Sequence, residues 1–125
     1  MQPQKRVLIV EDEHFISELY TRALTKAGYN VTTATDGMNG FQMIMTDQYD
    51  IVLLDIMLPN LNGIDALKNI RERTKDKPLK TKIIIATNLD QEDQKREAIE
   101  SIADGYLVKA EITPKQLVEF LQRLD

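Results

Sequence analysis

Two hydrophobic periods alternate along this chain. Short apolar runs rich in branched residues, RVLIV (6–10), IVLL (51–54), KIIIA (82–86) and GYLV (105–108), read as buried strands. A more polar run, NVTTA (30–34), reads as an edge strand. Between the runs, apolar residues recur at helical spacing. Ile16, Leu19, Tyr20, Ala23 and Ala27 mark one face of a first helix, stopped by Gly28. Phe41 and Ile44 belong to a second helix beginning near Gly37. Ile64, Leu67 and Ile70 mark a third, opened by NLNG. Leu117, Phe120, Leu121 and Leu124 form the stripe of the last helix, with Thr113 as the expected N-cap and Pro114 in its first turn.

The fourth helical segment, DQEDQKREAIESIA, is different. It carries Glu92, Asp93, Lys95, Arg96, Glu97 and Glu100, and its apolar contacts fall mainly to Ala98, Ile99 and Ile102. So thin a stripe is weakly held by packing. It reads either as a solvated face or as an element able to shift.

Five strand–helix units follow one another. Strands apolar on both faces and alternating with helices predict an α/β fold: a five-stranded parallel sheet with five helices on both faces. Right-handed crossovers restrict the topology, and the doubly wound order 2-1-3-4-5 is the common five-strand solution. The whole chain, 1–125, is expected to form one domain. In such sheets ligands bind beyond the carboxyl ends of the strands.

At those ends stand Glu11, Asp12 and Glu13 after strand 1, Asp55 after strand 3, Thr87 after strand 4 and Lys109 after strand 5. Strands 1 and 3 are neighbours in the expected order, roughly 5 Å apart. Glu11, Asp12 and Asp55 therefore converge. Each pair of charges at about 5 Å repels by roughly 3 kcal/mol at an effective dielectric of about 20. Lys109 and a divalent cation together neutralise the three. An all-oxygen donor set with room for water and phosphate oxygens suits Mg²⁺, with Mn²⁺ able to substitute. Thr87 and Lys109 offer a hydroxyl donor and a mobile ammonium, the chemical complement of a phosphoryl group. Taken singly, an Asp after a strand is a turn residue or cap, and "ED" can cap the next helix. The weight lies in their sharing one edge. His14 reads as a solvated first-turn residue.

Composition narrows the chemistry further. The chain has 42% hydrophobic and 29% charged residues, as globular proteins do. No cysteine is present, which excludes disulfides, thiolate zinc sites and a cysteine nucleophile. The single histidine excludes a multi-histidine metal site. The net charge of −4 gives no sign of a basic nucleic-acid surface, so direct nucleic-acid binding is not expected. No run has the length of a membrane span or the form of a signal peptide, so no membrane association and a cytoplasmic location are expected.

The stretches VLIVEDE, DIVLLDIMLPNLNGID, IIIATN and GYLVKA resemble, in order and spacing, the receiver domain of two-component response regulators. The resemblance runs from Val7 to Leu124. It implies a phosphoprotein of a two-component or phosphorelay system. Asp55 would be the phosphoacceptor, taking its phosphoryl group from the phosphohistidine of a sensor histidine kinase or phosphotransfer protein. Asp12, Asp55 and the backbone carbonyl of Met57 would hold Mg²⁺, with Glu11 acting through water. Thr87 and Lys109 would bind phosphoryl oxygens, and Thr87 and Tyr106 would form the switch. At most, the chain would catalyse its own phosphorylation and dephosphorylation. Output would pass to a downstream protein partner through the face of helix 4, strand 5 and helix 5. A stand-alone receiver is expected rather than a fragment of a longer regulator. Apart from the resemblance, Met57 and Leu89 read as loop-packing residues, with exclusion of water from the phosphoaspartate as the alternative.

Three positions depart from or vary the family pattern. Glu11 stands where an aspartate is also accepted. Asn88 follows Thr87 where a small alanine is usual. Ala110 follows Lys109 where proline is usual, which leaves the isomer of the Lys109–Ala110 bond open, since a cis bond before alanine costs about 2.5–4 kcal/mol.

Other readings remain. A flavin-binding electron carrier would need a phosphate-cradling loop after strand 1, where this chain has EDEHF. A Mg²⁺-dependent phosphohydrolase would need a second carboxylate two residues after Asp55, where this chain has Met57. A phosphorylation-independent protein-binding module on the same fold is the remaining alternative.

Overall fold

The computed structural model describes residues 4–88 and 93–124. Five strands, β1 (Arg6–Val10), β2 (Asn30–Ala34), β3 (Ile51–Leu54), β4 (Lys82–Thr87) and β5 (Gly105–Val108), alternate with five helices. These are α1 (His14–Lys26), α2 (Gly37–Ile44), α3 (Gly63–Arg73), α4 (Asp93–Glu100) and α5 (Pro114–Leu124). The sheet is parallel throughout, as the alternating periods predict, and its order β2-β1-β3-β4-β5 is the expected doubly wound one. β4 runs one residue further than its apolar run and takes in Thr87.

Successive strand residues feed two separate cores. Leu8 and Val10 of β1, Val52 and Leu54 of β3, and Ile83 and Ile85 of β4 pack with Ile44, Leu67, Ile70 and Ile99. Val7, Ile9, Ile51, Leu53, Ile84 and Ala86 pack on the opposite face with Tyr20, Leu24, Leu117 and Leu121. Helices α2, α3 and α4 thus cover one face, and α1 and α5 the other. The three central strands are buried on both sides, which is why they read as unbroken apolar runs.

Local signals account for the helix ends. Asp36 caps α2 by accepting from Asn39 N–H at 2.7 Å, and Asn62 caps α3 by accepting from Asp65 N–H at 2.9 Å. Thr113 and Gln116 form a reciprocal capping box at α5, with bonds of 3.1 and 2.9 Å. Beyond α1, Gly28 takes φ +100°, a left-handed geometry that ends the helix.

Two expectations about helix faces need correction. In α1 the buried face is Ser17, Tyr20 and Leu24, whereas Leu19 and Ala27 are exposed. The stripe is rotated because α1 settles against α5 and the outer part of the sheet, a contact that spacing alone does not specify. In α4, Ala98 is exposed and Ile99 carries the burial among the described side chains. Ile102 lies just past the helix and is partly buried against the same core. Glu92 and Leu89, with both readings of Leu89, fall outside the described residues.

Candidate functional site

The strands that converge at β1 and β3 also position the acids. Past the end of β1, Glu11 N–H donates to Ala34 O at 2.9 Å, and past the end of β3, Asp55 N–H donates to Val10 O at 3.1 Å. These bonds extend the ladders by one step, so both carboxylates leave rigid backbone. Glu11, Asp12 and Asp55 bring carboxylate oxygens within 4.8 Å of one another. Glu11 and Asp55 are buried, and Asp12 faces solvent.

Lys109 answers the charge. Its ammonium is buried and donates to Asp55 Oδ2 at 3.0 Å and to Glu11 Oε1. Burial works to lower the Lys109 ammonium, but its bonds to Glu11 and Asp55 hold it above its ordinary value. Burial pushes the Glu11 carboxyl up, and Lys109 and the Glu13 N–H offset this only in part. Asp55 Oδ1 accepts from Ile56 N–H at 2.7 Å, which fixes the carboxylate plane.

A second constraint comes from α3. Gly63 N–H donates to Ile56 O at 2.8 Å, and its Cα lies directly against the Asp55 backbone. A Cβ built there would sit 1.9 Å from the Asp55 carbonyl oxygen. The glycine that opens α3 is thus also the residue that lets the Asp55 loop close.

These groups border an open cavity of about 360 Å³ lined by Asp12, Glu13, Asp55, Met57, Thr87, Asn88 and Lys109. Five of the expected site residues, Asp12, Asp55, Met57, Thr87 and Lys109, are gathered here, and Glu11 lies behind them. Thr87 is 1% exposed at the tip of β4, while the Met57 side chain is 63% exposed. Tyr106 does not reach the cavity. It pairs with Ile85 in the register of β4 and β5, and the Arg96 guanidinium lies over its ring, 4.5 Å from the centroid. His14 is exposed in the first turn of α1, as expected. The Lys109–Ala110 bond is trans, and Lys109 opens a 3-10 turn through Glu111.

Glu13 and Asn88 join the cavity without a role assigned from sequence. The run of three acids, Glu11 to Glu13, was a signal for the first. For the second, the only sign was that Asn88 departs from the expected small residue.

The donor set is all oxygen, carries three negative charges within 4.8 Å and has one side open to solvent, which fits a hard divalent cation. The family model described as Response regulator receiver domain matches residues 7–122. Transcriptional regulatory protein CusR of Escherichia coli (strain K12) is 40% identical over 119 residues, which cover 95% of this chain and 49% of CusR. The chain spans about half the length of the curated relatives it matches. Among solved structures, the receiver domain of Francisella response regulator 1452 aligns with a TM-score of 0.83 at 30% identity, covering 97% of this chain and 96% of that one. Response regulator protein TrrA from Thermotoga maritima, solved in complex with Mg²⁺-BeF, aligns with a TM-score of 0.80 at 32% identity, covering 98% and 100%. Receiver domains bind Mg²⁺ at their acidic pocket and interact with histidine kinases or other phosphodonors. No described helix is long and apolar enough to cross a membrane. With nearly its full length matched in sequence and in fold, the chain belongs to the receiver domain family of two-component response regulators.

Proposed function

We propose that Asp55 is the phosphoacceptor of this receiver and that Glu11, Asp12, Thr87 and Lys109 serve its phosphorylation. The observation that carries this is the position of the Asp55 carboxylate. It stands at the end of the central strand on the cavity wall, clamped by Ile56 N–H on one oxygen and by Lys109 on the other. An aligned carboxylate of this kind can accept a phosphoryl group as an acyl phosphate. In the transfer, one Asp55 oxygen bonds to phosphorus as the P–N bond of a phosphohistidine breaks, and the leaving imidazole takes a proton. Alignment and charge neutralisation supply most of the catalysis.

Asp12 and Asp55, with the Met57 carbonyl and with Glu11 through water, would hold Mg²⁺, or Mn²⁺ in its place. When bound, the ion supplies positive charge that lets the phosphoryl oxygens approach the acids. Lys109 and the Thr87 hydroxyl would take phosphoryl oxygens. Phosphorylation changes the charge carried by Asp55 from −1 to about −2. Lys109 and Thr87 are drawn inward, and Tyr106 can turn into the space behind Thr87.

The face of α4, β5 and α5 is the output surface. In α4, the side chains from Gln94 to Ala98 are exposed, leaving Ile99 to anchor the helix, so a small change near Thr87 can move it. The partners of this reading are a sensor histidine kinase or phosphotransfer protein upstream and a protein downstream. The setting is the cytoplasm, and residues 1–125 act as one receiver unit. The chain acts on no external substrate in steady turnover.

Incubation with Mg²⁺ and acetyl phosphate tests this by intact mass. The expected result is one added phosphoryl group, lost on Asp55→Asn. A protein that gains no mass, or a variant that gains as much as wild type, overturns it.

A further inference from the structure

The two residues that break the family pattern at the strand ends are bonded to each other. Ala110 N–H donates to Asn88 Oδ1 at 2.7 Å, across 22 positions of the chain. Each follows a residue proposed to hold phosphoryl oxygens: Asn88 follows Thr87, and Ala110 follows Lys109. The bond lies just beyond the last register pair of the sheet, Thr87 with Val108, and ties the end of β4 to the end of β5.

The turn supplies the donor for such a bond. Residues Lys109–Glu111 form a 3-10 turn closed by Ile112 N–H to Lys109 O at 3.3 Å. The first N–H groups of a helical turn have no partner inside it. Ala110 N–H is one of these, and the Asn88 amide oxygen takes it from the neighbouring loop. Proline at 110 would have no N–H to give, and alanine at 88 would have no oxygen to receive it. Two exceptions to the pattern are thus donor and acceptor of a single interaction.

We propose that Asn88 is a positioning residue for phosphorylation: through Ala110 it holds the backbone of Lys109, so that the Lys109 ammonium stays on Asp55. The lysine stem is long and flexible, and its head must remain at 3.0 Å from Asp55 Oδ2 while also serving Glu11. Fixing the backbone at the residue after Lys109 reduces the freedom of that stem. Asn88 itself lines the cavity, but its oxygen is committed to Ala110.

The inference rests on the phosphoacceptor reading above, and the test separates the two. Phosphorylation rates with acetyl phosphate at saturating Mg²⁺ are compared for wild type, Asn88→Ala, Ala110→Pro and the double variant. Mg²⁺ affinity is measured by calorimetry, and Ala110 amide exchange is followed by NMR. Asn88→Ala should slow phosphorylation about fivefold, the worth of one ordinary hydrogen bond, with Mg²⁺ affinity within twofold of wild type. In the Ala110→Pro background the same substitution should change the rate by less than twofold, because the N–H is already gone. Loss of bulk or of overall stability would not produce that non-additivity. Ala110 amide exchange should quicken in Asn88→Ala. A phosphorylation rate at or within twofold of wild type in Asn88→Ala, an equal loss in both backgrounds, or unchanged Ala110 exchange overturns the positioning role. A wild-type protein that takes no phosphoryl group overturns the parent reading, and the role for Lys109 placement falls with it.

Discussion

Asp12→Asn should stabilise the protein in chelator and destabilise it, relative to wild type, in magnesium. The carboxylate oxygens of Glu11, Asp12 and Asp55 lie within 4.8 Å of one another. At that separation each pair repels by about 0.9 kcal/mol in bulk water and about 3.5 kcal/mol at an effective dielectric of 20. Asp12 is exposed, so values near the lower end apply to its two pairs, and attraction to Lys109 cancels part of them. Removing its charge with an isosteric amide should therefore gain about 1 kcal/mol, or roughly 4 °C in Tm for a chain of this size. Magnesium at a hundred times its Kd stabilises wild type by about 2.7 kcal/mol. Losing a direct carboxylate ligand should lower metal affinity by at least the roughly 100-fold that marks the upper end for outer-shell partners. At the same concentration the variant then gains at most about 0.4 kcal/mol. The order of stability reverses, with wild type ahead by at least about 1.3 kcal/mol, or roughly 5 °C. Thermal unfolding by far-ultraviolet circular dichroism, in chelator and in excess Mg²⁺, reads both arms. A variant that melts no higher than wild type in chelator would refute the repulsion argument. A variant that keeps the full magnesium shift would refute the assignment of Asp12 to the metal.

Two further substitutions test how the surroundings hold the site. Gly63→Ala drives a Cβ to 1.9 Å from the Asp55 carbonyl oxygen, so backbone must move. A loss of about 1–3 kcal/mol in urea unfolding is expected, together with slower phosphorylation, and an unchanged midpoint would contradict the close approach. Asp47 sits at φ +55° and accepts from Lys80 N–H, Thr81 N–H and Thr81 Oγ1, at 3.0, 3.1 and 2.9 Å. Burial works to raise its carboxyl, but these bonds together hold it below its ordinary value. A lowered folded value contributes stability that is complete above the unfolded value and is lost as pH falls through the folded one. Asp47→Asn keeps the left-handed geometry and an amide acceptor, so near neutral pH it should cost about 1 kcal/mol, the charge-assisted share of the bonds. That gap should close as pH drops through and below the ordinary carboxylate range. A gap that stays constant to acid pH would show that the charge contributes nothing.

The buried strands were legible because the periodicity of the central strands is a direct consequence of burial on two faces, and their order followed from the common doubly wound solution. Leu8 and Val10 serve one core and Val7 and Ile9 the other, so no polar residue is tolerated between them. The gathering of Glu11, Asp12, Asp55, Thr87 and Lys109 was legible for a related reason: in a parallel sheet every strand end lies on the same edge. What stayed hidden was decided by packing between elements. The expected stripe of Ile16, Leu19, Tyr20, Ala23 and Ala27 and the buried face of Ser17, Tyr20 and Leu24 share Tyr20, and only the seat of α1 beside α5 turns the helix from one toward the other. Gly63 reads as a helix opener, and its contact with Asp55 exists only in three dimensions. The Arg96–Tyr106 stack joins residues with no periodic relation.

Asn88 and Ala110 show where more could have been read. Each departure from the pattern looks like a small loss when considered alone: a bulky amide beside a pocket, and a missing proline beside the buried Lys109. Considered together they differ from the usual pair by one added acceptor and one added donor, at the ends of strands that the topology makes adjacent. Where alanine stands in place of proline a backbone N–H appears, and the Asn88 oxygen takes it in place of water at this exposed turn. Exceptions that fall on neighbouring strand ends are therefore best weighed as pairs, by asking whether one supplies what the other lacks. Here the 2.7 Å bond answers that question, and the chemistry of the pair was already written in the two residue types.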